Sequence, residues 1–156
     1  MDDRMTSDLL DAMSHTRLLH ELVIKRSVFL DSSLTALESL LMLEHPDNLI
    51  ELRLVNCETS NRVMRLLLVS LGDEENVTHL RSLAIVQMKL NFALDDLAQL
   101  VQTSQALQDL DLSCNDCVPM HFEALLKALA YNQTLHNVNL SWNTLIDRKD
   151  QVSKNF

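Results

Sequence analysis

One glycine, two prolines, one tryptophan and three cysteines occur in the 156 residues, and each scarcity narrows what this chain does. A single glycine removes the glycine-rich loops that cradle phosphates, since those need several points of close backbone approach. So little glycine and proline beside 47% hydrophobic residues excludes a disordered or loop-dominated chain. Basic residues are outnumbered 13 to 22, a net charge of −9, which argues against non-specific binding to nucleic acid or anionic membrane. No long apolar run follows the acidic start Met1-Asp2-Asp3-Arg4, so neither a secretory signal nor a membrane span is expected. H-E-x-x-H and the serine nucleophile elbow are both missing.

What is present is one spaced word written five times: an apolar residue at positions 1, 4 and 6, and a small or polar stop at position 9. Leu19, Leu22, Ile24 and Ser27 form the first copy, and Leu49, Leu52, Leu54 and Cys57 the second. Leu80, Leu83, Ile85 and Met88 follow, then Leu107, Leu110, Leu112 and Asn115, and last Leu135, Val138, Leu140 and Asn143. The starts at 19, 49, 80, 107 and 135 give a period of 27–31 residues, which signals stacked repeats.

Positions 4 and 6 alternate as a strand requires, so both point to one face while 3, 5 and 7 point to the other. Parallel strands need a crossover, and helical spacing follows four of the words. It runs through Leu34, Leu37 and Leu41, then Val63, Leu66 and Leu67, then Leu94, Leu97 and Val101, and finally Phe122, Leu125, Leu126 and Leu129. This predicts an α/β solenoid of five short parallel strands, with the ten residues at positions 4 and 6 all buried.

The pattern resembles the leucine-rich repeats, of the ribonuclease-inhibitor-like type found inside cells. LQDLDLSCNDC, HFEALLKALAYNQTL and HNVNLSWNTL carry the likeness best. Asn115 and Asn143 fall where that family places an asparagine ladder bonded to backbone groups, and Cys57 takes its cysteine variant. Ser27 and Met88 depart from it. The resemblance spans residues 19–145 and implies a protein-binding function, with a cytoplasmic location.

The ends frame this array. Residues 1–18 read as an N-terminal capping helix, with Ser7 as N-cap and Leu9, Leu10 and Met13 at helical spacing. Gly72 is expected to stop a helix in the left-handed conformation and open the acidic insertion through Asn76. Pro46 ends an earlier helix. Residues 146–156 form a polar tail without a helical pattern, so the fifth repeat lacks its covering layer.

The three cysteines fit a reducing compartment. Cys114-x-x-Cys117 has metal-binding spacing, but Cys117 holds a core position shared with Phe29, Leu90 and Leu145. Cys57 lies two repeats away, so no metal and no cofactor is expected. Three glycosylation patterns, at Asn76, Asn132 and Asn139, are read as chance. His136 beside Asp109, with Ser113 on the same face, has the residue types for acyl transfer. An open sheet offers them no evident oxyanion hole, so ordinary polar decoration is the reading preferred.

Positions 3, 5, 7 and 8 decorate the inner face. Lys25, Arg26, Arg53 and Arg81 gather as a basic group, while Val55, Ala84 and Val86 form an apolar waist. Asp109 and Asp111 make the fourth row acidic, with Asn139 and Trp142 beyond. Such a graded face suits a protein partner. Trp142 is either an exposed anchor or is packed under the tail. Together with Leu145 and Ile146 it is expected to be covered by a further chain or by the tail.

The reading is a non-catalytic interaction module acting as adaptor, scaffold or regulatory subunit. Its alternatives are an enzyme regulator of the inhibitor or GTPase-activating kind, an actin-filament cap, and a hydrolase. The first needs a committed arginine at the sheet edge, and the second needs flanking actin-binding segments. Neither is read here.

Overall fold

The computed structural model describes residues 1–15, 19–41, 49–73 and 79–144. Its strands fall on positions 3 onward of each word: β1 Glu21–Lys25, β2 Glu51–Val55, β3 Ser82–Val86, β4 Asp109–Asp111 and β5 Asn137–Asn139. All are parallel, in one sheet ordered β1-β2-β3-β4-β5. Register pairs equal positions throughout, as in the row Val23, Arg53, Ala84, Asp111 and Asn139. Successive parallel strands need crossovers. These run through α2 Asp31–Leu41, α3 Asn61–Leu71, α4 Leu94–Thr103 and α5 Glu123–Tyr131. The chain is thus α/β, with a five-stranded parallel sheet and its helices.

The two faces of the sheet differ because the side-chain period is two. Leu22, Ile24, Leu52, Leu54, Leu83, Ile85, Leu110 and Leu112 join the inward stripes of the helices in one apolar core. Among the anticipated helix residues, Leu66 and Leu126 turn out to water instead, one step off the buried stripe. The last strand also departs from expectation. Val138 is 41% exposed and Leu140 is only partly buried. Their sheet neighbour β4 covers one side, and no described helix follows β5 to cover the rest.

At the other end, α1 (Asp3–Ser14) closes the core with Leu10 and packs along α2. Its N-cap is Asp2, not Ser7: the Asp2 carboxylate accepts the Met5 N–H at 2.8 Å. An acid at the first turn also complements the helix dipole. Gly72 does not adopt the left-handed conformation. It continues the right-handed backbone, with φ of −84°, and its N–H is bonded to carbonyls of the last turn of α3. The readings made for Pro46, for Asn76 and its acidic surroundings, for Leu145 and for the tail 146–156 lie outside the described residues.

Candidate functional site

The face of the sheet turned away from the core carries exposed side chains. Positions 3, 5 and 7 are exposed or half-buried on β1 and β2, and β5 is exposed along its length. Ala84 is the exception, only 1% exposed although it lies outside the helix-packed core. It is too short to rise above the register neighbours Arg53 and Asp111, so the apolar waist is a floor. Over it lies a shallow depression of about 380 Å³, bounded by Arg53, Asp109, Asp111, Asn137 and Asn139.

The charges of this face are partly spent. Arg53 Nη1 reaches Glu51 Oε1 at 3.2 Å. Asn137 donates to Asp109 at 2.5 Å, and Asp111 accepts the Ser113 N–H at 2.9 Å. No ion pair engages Asp109 or Asp111 among the described residues. The basic group read from sequence is divided by the fold. Lys25 and Arg26 sit at the carboxyl-terminal rim of the sheet, while Arg81 precedes β3 at the opposite rim. Six residues of strand separate positions 2 and 8, roughly 20 Å. Val55 and Val86 remain neighbours, half-buried, beside Lys25.

The acyl-transfer trio does not assemble as pictured. Asp109 pairs in register with Asn137, so His136 falls beside Gln108, whose carbonyl accepts its backbone N–H at 2.7 Å. Ser113 is buried, about 13 Å along the strand from Asp109 by residue count.

The carboxyl-terminal rim holds a regularity that composition hid. Position 8 of all five words has positive φ: Arg26 51°, Asn56 50°, Gln87 59°, Cys114 60° and Trp142 59°. None is glycine, the residue that meets least resistance there. Position 9 stitches neighbouring turns together. Asn115 Nδ2 donates to Ile85 O at 2.6 Å and Leu112 O at 2.9 Å, while its Oδ1 accepts the Met88 N–H at 2.6 Å. Asn143 repeats the arrangement, donating to Leu112 O and Leu140 O and accepting the Asn115 N–H at 3.1 Å.

The departures at position 9 do part of the same work with weaker groups. Cys57 Sγ donates to Ile24 O at 3.4 Å, and Met88 Sδ accepts the Cys57 N–H at 3.0 Å. Ser27 Oγ stays within its own turn, donating to Lys25 O at 3.1 Å.

Exposure on the rim is greatest at its end. Trp142 is 83% exposed, the most exposed of the large apolar side chains there. Arg26 is also exposed and engages no ion pair among the described residues. Cys117 is buried as its core position implied, and burial chiefly pushes its thiol up to about 11, aided by the charge of Asp116. It stays protonated at neutral pH, a poor nucleophile and a poor metal ligand.

Two features were missed by sequence reasoning. The left-handed rim had no residue signal, since glycine marks such turns and none is used. Asp3 carries the second. Its carboxylate accepts the N–H groups of Leu30, Ser32 and Ser33 at 2.7, 3.3 and 3.2 Å, capping α2 from another helix. No helix among the described residues is long and apolar enough to cross a membrane. No protein-family model matches the chain, and no curated protein is similar to it.

Proposed function

We propose that this chain is a leucine-rich-repeat solenoid that binds a protein partner across its uncovered sheet face and carries out no chemistry of its own. The observation that supports this reading is the face itself. Five strands in identical register hold exposed, chemically graded side chains over a rigid floor, backed by one continuous core. A repeat array presents such a surface at little entropic cost, because its side chains ride on ordered strands. Lys25, Arg53 and Asp111 supply charge for orientation and Val55 and Val86 supply apolar area, while Trp142 supplies an anchor at the rim. The three free thiols suit a reducing, intracellular setting.

The test is affinity capture from cell extract with the immobilised chain, followed by mass spectrometry. Arg53→Glu and Asp111→Lys are expected to lose a protein that the wild type retains. Asp95→Lys and Lys127→Glu, on helices, should keep it. Equal loss from both pairs of variants would move the site to the helical side and overturn the reading.

A further inference from the structure

The rim corner formed by copies four and five combines an exposed aromatic ring with an exposed carboxylate. Cys114, Asp116 and Trp142 all have positive φ, at 60°, 52° and 59°. A tryptophan in that conformation pays a steric cost, and at 83% exposure it recovers little of it by burial. Asn143 brings the two turns together. Its Oδ1 accepts the N–H groups of Asn115 and Cys117, at 3.1 and 3.2 Å, and these two residues bracket Asp116. Trp142 and Asp116 therefore stand on adjacent turns of the same rim, each one residue from that hydrogen-bonded hub. The Asp116 carboxylate is exposed and has no hydrogen-bond or ion-pair partner among the described residues.

Charge among the described residues of this half is one-sided, and Asp147, Arg148, Lys149, Asp150 and Lys154 follow them in the sequence. Between residues 107 and 144 the acids are Asp109, Asp111, Asp116 and Glu123, and the single Lys or Arg is Lys127. Lys127 is held by Glu123 at 2.7 Å on α5. Among the described residues three aspartates remain without a counter-ion, two on the open face and one on the rim. An indole face attracts a guanidinium or ammonium group, more strongly once the pair is shielded from water, and a neighbouring carboxylate adds to that attraction.

We propose that this corner receives an arginine or lysine side chain of a basic polypeptide segment. The cation lies on the Trp142 ring beside Asp116, and the segment runs on over Asp111 and Asp109. This rests on the reading of the open face as a protein-docking surface and gives the partner's chemistry.

The test uses the full chain and a fluorescein-labelled octa-arginine peptide, followed by anisotropy, with an octa-glutamate peptide as counter-probe. Trp142 is the only tryptophan, so its intrinsic emission reports the same event with unlabelled peptide. The wild type is expected to bind octa-arginine with a change in Trp142 emission and to ignore octa-glutamate. Trp142→Gly and Asp116→Asn should each weaken binding roughly tenfold, the scale of a well-placed cation–π or charged contact. Both substitutions suit a positive φ, so melting temperatures should not fall. Asp8→Asn on α1 removes the same charge far from the corner and should leave affinity unchanged.

Equal affinity across all the variants would reduce the effect to net-charge attraction and overturn the proposal. So would saturation by octa-arginine with no change in Trp142 emission. A partner protein released by Arg53→Glu but not displaced by octa-arginine would also overturn it, while leaving the docking face itself in place.

Discussion

The two ends of the sheet are built on the same word and end in opposite states. At the β1 end, α1 lays Leu10 over the core, and Met1 O accepts the Val28 N–H at 2.9 Å. The Thr6 hydroxyl bonds Val28 O, and Asp3 caps α2. At the β5 end Val138 stands 41% exposed and the indole of Trp142 is open to water. A repeat position therefore has no burial of its own. It acquires burial from the layer beside it, which is why an array needs something at each end. One end is closed by this chain's own helix, and at the other, among the described residues, the last strand and the Trp142 ring are left exposed.

The strongest way to sharpen that contrast is to remove the same position 4 side chain in the middle and at the end. Leu110→Ala should destabilise by about 2–5 kcal/mol in denaturant unfolding, because its neighbours cannot collapse into the cavity. Val138→Ala, at the equivalent position, should cost about 0.5 kcal/mol or less, as surface changes do. Similar losses at both sites would mean that the end is closed in solution. Next in size is Asn115→Ala. It orphans the buried Met88 N–H and should cost about 1–3 kcal/mol, read as a lowered denaturant midpoint at unchanged slope.

A smaller effect tests the closed end. Burial of Asp3 raises its pKa, but the hydrogen bonds from Ser33, Leu30 and Ser32 together outweigh it and hold the carboxyl below its ordinary 3.8. The folded pKa is thus depressed. Its contribution is present above the ordinary value and is lost as pH falls through the lower folded one. Asp3→Ala should cost about 1 kcal/mol at pH 7, the scale of a helix cap. It should also flatten the acid limb of the stability curve, and an unchanged limb would remove Asp3 from the account. The smallest expected change has the opposite sign. Trp142→Gly should raise stability by up to about 1 kcal/mol by relieving the left-handed turn. A clear loss would show that the indole is packed rather than presented.

Legibility followed the same division. The strand positions and their register were readable from Leu52, Leu54, Leu83 and Ile85, because a period of two on a buried face leaves one choice of side. Exposure at Val138 was not, since its word is the same and only its surroundings differ. The basic group was misread for a related reason. Lys25, Arg26 and Arg81 share a charge and a face in sequence, yet position along the strand puts two at one rim and one at the other. Ala84 shows the reverse case, with a small residue on an open face hidden by its longer neighbours.

What the sequence alone determined is the repeating unit: where each strand begins, which side of it is apolar, and that a helix must return the chain to the next. These follow from local spacing, and local spacing survives translation from copy to copy. What only the tertiary structure decided lies between copies and at their ends. The left-handed rim, the hydrogen bonds from Asn115 and Asn143 to neighbouring turns, the reach of Asp3 to α2, and the exposure of Trp142 all belong there. Each depends on which groups stand across a gap of one strand, about 4.8 Å, and that is a property of stacking rather than of any residue in the row.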